Sequence, residues 1–260
     1  MKMYNYYHYA AMTSLHASIV ALIPPFFLVC IGVTLKQHHS VLLLTLPFIV
    51  YSFISYQIFL VNKHRMEDSD EPVIESTVES VVGSSMAIQF LPAPSLRMLL
   101  FCENGQLNAE IKDYYQYKFR WFIPYFIDQF FPKTYTFSKS DGGVLYTFIL
   151  KGKNILIMNN VDGKCVASVQ RMAFKRYVVE TNIAKKEVIV QSSSFFTDIK
   201  LYNSQGVILA RVRRGFLPRI WDKHIKDVNT PILTFSEEVT DLDKVILLSI
   251  LSKIYRYRNH

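Results

Sequence analysis

The stretch "ARVRRGFLPRIWDKHIK" (210–226) holds six cationic side chains, Arg211, Arg213, Arg214, Arg219, Lys223 and Lys226, against Asp222 alone, with Phe216 and Trp221 between them. A guanidinium presents a planar fork of N–H donors that matches two phosphate oxygens, and an ammonium supplies a point charge. Tryptophan favours the level of the lipid head groups, where one edge is apolar and the other wet. Residues of these types in this pattern point to holding a phosphate-bearing anion, with an anionic lipid head group first in line. The plainer alternative is a solvated sheet edge guarded by charge. A second stretch, "KFRWFIPYFIDQFFPK" (118–133), carries nine Phe, Trp, Tyr or Ile residues between Lys118 and Lys133, with Trp121 among them. It would dip into a bilayer surface or pack on the chain's own core. Trp121 and Trp221 are thus the two interfacial candidates.

Covalent or acid–base chemistry finds no comparable support. The sequence has no GxSxG, GxGxxG, Walker or HExxH pattern. Five of its seven histidines (His8, His16, His38, His39 and His64) fall in or beside apolar runs. Adjacent His38 and His39 lack further ligands and read as a solvated turn. The carboxylate pairs Glu237/Glu238 and Asp241/Asp243 precede an apolar run, where the positive end of a helix explains them better than general acid–base work. The reading is a non-enzyme with no cofactor and no metal. Cys30, Cys102 and Cys165 are isolated and read as free thiols of a reducing compartment.

The elements that must position these residues fall into three parts. Residues 1–66 contain two runs, Ser14–Leu35 and Val41–Val61, without Asp, Glu, Lys or Arg. Each has the ~20 residues that an α-helix needs to cross ~30 Å of hydrocarbon, and "KQHH" and a serine form a tight external loop between them. Lys2 lies before the first span and Lys63 and Arg65 after the second, so the N-terminus and the C-terminal domain are expected in the cytoplasm of an integral protein of the cell membrane. Residues 67–93 form an acidic linker, with a short helix predicted between Ser69 and Gly83. Residues 80–260 then carry 25 basic against 15 acidic residues, a balance suited to anionic membrane surfaces. Nucleic acid ranks last as a partner, since no recognised motif accompanies the charge.

From about residue 94 the texture is strand and turn. Three stretches repeat an apolar strand, an Asn- or Asp-containing turn onto a glycine, and an alternating strand with Ala four residues past the glycine: Gly105/Ala109, Gly163/Ala167 and Gly206/Ala210. The two-residue period predicts that positions two, four and six after each glycine share the core face. Asp141-Gly142-Gly143 adds another turn. The pattern predicts roughly nine to twelve strands in an antiparallel barrel or wrapped sheet. The apolar stretch Val245–Tyr255 is about 16 Å long as a helix, too short to span and apolar all round, which is the signature of a core helix.

Repeated hairpins of this kind in "MNNVDGKCVASVQRM" (158–172) and "LYNSQGVILARVRRG" (201–215), closed by "VTDLDKVILLSILSKIY" (239–255), resemble the tubby C-terminal-like superfamily, which includes tubby, the LURP-one-related proteins and the phospholipid scramblases. The resemblance covers residues 94–260. It implies a mainly β domain, a barrel of about twelve strands around a central hydrophobic helix, here 241–256, behind a two-helix membrane anchor. No phosphoinositide-binding residue or calcium site of that superfamily maps onto this sequence. The function expected is a membrane-tethered, non-catalytic module that binds anionic phospholipid or a protein partner of unknown identity. The alternative, by resemblance only, is scramblase-like lipid transport.

Overall fold

The computed structural model describes residues 1–35, 38–69, 82–93, 95–115, 133–173, 175–181, 184–193, 197–215 and 217–256. The linker helix expected near 70–81, Trp121 with its aromatic stretch to residue 132, and Phe216 lie outside the described residues. The chain divides into two compact units, Lys2–Pro72 and Val73–His260, the latter joined by Met1.

The first unit contains α1 (Met3–Ala21), α2 (Ile23–Leu35) and α3 (His38–Asp68). Pro24 and Pro25 sit in the first turn of α2, where a missing N–H costs least, so α1 and α2 run on almost continuously. Two stretches, Met3–Thr34 and Leu43–Asp68, are long and apolar enough to cross a membrane by length and composition. Both helices are longer than the apolar runs. The backbone of His38 and His39 belongs to the first turn of α3 rather than to a loop. Ser52 Oγ on α3 donates to the Ser18 carbonyl of α1 at 2.9 Å and lies 3.0 Å from Ser18 Oγ, both side chains buried.

The second unit is a closed antiparallel barrel of twelve strands, each hydrogen-bonded to the strand before and after it in sequence, with β1 closing on β12. The strands are β1 (Ser85–Phe90), β2 (Arg97–Phe101), β3 (Leu107–Asp113), β4 (Lys133–Lys139), β5 (Val144–Lys151) and β6 (Asn154–Asn159), then β7 (Cys165–Ala173), β8 (Arg176–Thr181), β9 (Lys185–Ser192), β10 (Asp198–Asn203), β11 (Ile208–Arg213) and β12 (Ile232–Phe235). The strand β1 lies ahead of residue 94, so the barrel starts inside the segment that composition assigns to the linker. Its "SMAIQF" is not joined to β2 by a glycine turn of the kind that marks the repeated hairpins.

The repeated hairpin has a definite geometry. In β10–β11, Gly206 has φ +82° and Asn203 Oδ1 accepts from the N–H groups of Gln205 and Val207. The register then slips by one residue: Leu201 pairs with Ala210 but Tyr202 with Ile208, leaving Leu209 as a bulge. The same slip, three residues past the glycine, falls at Asn108, Leu145 and Val166. A type I turn followed by a left-handed glycine and a bulge is a standard hairpin connection. It corrects the expected face. Ala109, Ala167 and Ala210 and the residues two beyond them are buried, but Cys165 and Ile208 are exposed. Leu145, Val166 and Leu209 turn inward instead and pack on the core.

Two further helices are described in this unit: α4 (Arg219–Asp222) and α5 (Asp241–Tyr255). Thr240 caps α5, accepting from the Asp243 N–H at 3.2 Å, as an N-cap threonine should. From Val245 to Ser252 every residue is buried. The apolar ones belong to one hydrophobic cluster that has members on all twelve strands. Ser249 and Ser252 each donate to the carbonyl three residues back, at 2.7 Å, so their hydroxyls enter the core satisfied. At one end of α5, Asp243 receives two hydrogen bonds from Lys186 Nζ; at the other, Lys253 Nζ donates to the carbonyls of Gly152 and Lys153.

Candidate anion-binding surface

β11 delivers the first basic residues by alternation. Ala210 and Val212 are buried, so Arg211 and Arg213 take the outer face. The two arginines differ in what they have to offer. Arg211 grips Asp198 on β10 with Nε at 2.9 Å and Nη2 at 2.6 Å, the paired-fork geometry of a strong ion pair. That hydrogen bond, with the charges of Arg211 and Lys200, holds the Asp198 carboxyl below its ordinary range. Arg211 is therefore engaged within the sheet. Asp198, thirteen positions upstream, was missed from the sequence because only the strand register, which pairs it with Arg213 and sets it diagonally across from Arg211, brings it within reach.

Past Gly215 the chain leaves the sheet as a strap, residues 217–231, and returns as β12. Trp221 and Ile225 are buried at 1% and 0% exposure. Gln89 Nε2, on the outer side of β1, donates to Thr230 Oγ1 at 2.8 Å with both groups buried. A Cβ on Gly105 would come within 2.9 Å of the His224 Cβ, so the strap crosses the wall as far as the β2–β3 turn. This overturns the interfacial reading of Trp221. Its indole fills the seam under the strap and is not available to lipid; an amphipathic residue between charges looks the same in sequence whether it faces lipid or core.

The anchoring of Trp221 turns the charges outward. Arg213, Arg214, Arg219 and Lys223 are exposed, while Lys226 is half-buried with Nζ donating to the Asp222 carbonyl at 3.0 Å. Arg214 Nε donates to the Asn229 carbonyl at 3.2 Å, joining the two ends of the strap. Of the six basic candidates, four are thus displayed to solvent, one is paired with Asp198 and one is partly enclosed.

A cleft of about 310 Å³ lies elsewhere, between the first turns of α5, the start of β9 and the 203–205 turn. Val188, Val239 and Leu247 are among its apolar lining, and Lys186, paired with Asp243, stands at its edge. None of the six basic candidates lines it. Among the described residues, no group of three or more His, Cys, Asp or Glu could hold a metal ion. The thiol of Cys102 is pushed up, first by burial and then by Glu103, which disfavours the reactive thiolate.

No family model matches the chain, and no curated protein matches it. Among solved structures, an X-ray structure of a protein from Arabidopsis thaliana is similar at TM-score 0.41 and 15% identity, over 66% of this chain and 91% of that one.

Proposed function

We propose that the protein is a membrane-tethered, non-catalytic module of tubby-like architecture whose barrel holds anionic phospholipid through the strap. The two apolar stretches serve as the anchor in the cell membrane, with the N-terminus and the barrel in the cytoplasm. The helix α5 runs along the barrel axis: its first turn is tied to β9, its last to the β5–β6 turn, and it is buried on all sides between them. The observation that carries the lipid reading is the display of Arg213 and Arg214 at the end of β11 and of Arg219 and Lys223 on the strap, whose Trp221 is turned inward to hold it.

Co-sedimentation of residues 73–260 with vesicles tests this. The barrel should favour phosphatidylserine-containing over neutral vesicles, and changing Arg213, Arg214, Arg219 and Lys223 to Gln should weaken binding about fivefold per charge. Equal binding to both vesicle types would refute the reading. The Gln variant must keep the thermal transition of the parent.

A further inference from the structure

In a barrel of consecutive antiparallel strands, all turns after even-numbered strands lie at one rim and all turns after odd-numbered strands at the other. That assignment separates the charges. At the first rim stand Glu103, Asp141, Asp162, Glu237 and Glu238, with Asp241 and Asp243 in the first turn of α5; Lys164 and Lys244 oppose them in these turns, and Lys186 at the start of β9 pairs with Asp243. At the second rim, apart from the strap that folds over the wall and Arg214 beside it, the described turn residues include Lys153 and Lys175, with Lys253 and Arg256 at the end of α5, and no carboxylate.

The second rim is electropositive locally as well as by count. The carbonyl of Lys153 accepts from both Lys253 Nζ and the Arg171 N–H, which brings α5, β7 and the β5–β6 turn together. The Lys253 ammonium is pushed down to about 8, first by burial and then by the charges of Arg171 and Arg256. Exposed Lys151 and Arg176 flank the same turns. Apolar groups stand among these cations: Met172 is 62% exposed and Tyr114 64%. Val161, exposed at the opposite rim, stands beside Asp162 instead. Cations interleaved with a methionine and a tyrosine are what the charged interface of a bilayer accommodates.

We propose that this second rim, centred on Lys153, Lys175 and the end of α5, is a separate docking surface that meets an anionic bilayer end-on, leaving the acidic rim and its cleft facing away. The inference rests on the anionic-lipid reading but names a different surface from the strap.

The test is amide hydrogen exchange of the full-length chain in nanodiscs, neutral or containing phosphatidylserine. The amides of Gly152, Lys153 and Lys175 should exchange more slowly in the anionic discs alone, and 0.5 M salt should remove the difference. Lys153→Glu with Lys175→Glu should lose it, by about fivefold in association for each charge removed. Lys164→Glu at the acidic rim should keep it. Slowing confined to residues 219–226 would overturn end-on docking and leave binding through the strap standing. Slowing nowhere would overturn both. The salt arm uses the unaltered chain, so a misfolded variant cannot decide the outcome.

Discussion

The helices α3 and α5 both carry apolar runs with no polar face, and their surroundings are opposite. On α3 the apolar side chains point outward: Leu43 is 80% exposed, Leu46 62% and Phe53 63%. On α5, Ile246 to Leu251 are buried to 2% or less. Length separates them. A helix of 31 residues exceeds the reach of bilayer hydrocarbon, whereas 15 residues match the height of a barrel wall whose strands are mostly six to eight residues long. Their serines differ in the same sense. Ser52 finds its partner on another helix, across to Ser18, whereas Ser249 and Ser252 bond back to their own turn. A wall made almost wholly of aliphatic and aromatic side chains offers a core helix few polar partners, so hydroxyls satisfied within their own turn enter it at least cost. A helix hairpin has a second backbone to offer.

The contrast yields predictions of decreasing size. Leu248→Asp buries an unpaired carboxylate where the parent residue is 0% exposed, and residues 73–260 should fail to fold, with loss of the cooperative thermal transition. A folded variant would end the core-helix account. Phe53→Asp should leave the barrel's transition unchanged and weaken membrane integration by about 2.5–3.5 kcal/mol, measured by carbonate extraction or a glycosylation-reporter assay. Unchanged integration would break the assignment of α3. A paired test of serines should separate the helices further: Ser52→Ala should weaken hairpin association by about 0.6 kcal/mol, while Ser249→Ala should shift barrel stability by less than about 0.5 kcal/mol. The smallest effect is a slope. Because Lys253 is pushed down to about 8 in the folded barrel, the unfolded chain binds more protons above that value, and stability should rise as pH increases from about 8 toward the ordinary lysine value. Lys253→Met should flatten that rise in urea titrations at several pH values.

Much of the barrel was legible because turn chemistry is local. Asn203 and Gly206, or Asp141 and Gly142, announce a hairpin within four residues. The bulge three residues past each glycine was not legible, since it is a property of pairing rather than of either strand, and it reversed the expected face at Cys165 and Ile208. Strand β1 escaped because no glycine turn joins it to β2 and its other neighbour, β12, lies far along the chain. At the candidate surface the charges were readable as a run, but their availability was not. Whether Arg211 is displayed depends on Asp198, and whether Trp221 faces lipid depends on what lies beneath the strap. The separation of charge between rims was hidden for the same reason: acids and bases alternate along the sequence turn by turn and sort only when the meander closes.

The closure between β1 and β12 has a consequence for how the protein is made. Ten of the eleven strand-to-strand connections join sequence neighbours through turns or loops that can form as synthesis proceeds, and the eleventh runs through the strap. The pairing of Met86 with Leu233, by contrast, must wait until some 150 residues have emerged, and α5 follows later still. A ribosome-bound chain thus carries an open, apolar-faced meander with both edges unpaired, the state most exposed to mispairing with other strands. Final assembly is therefore late and long-range, since α5, whose buried apolar residues share one cluster with all twelve strands, is translated after β12.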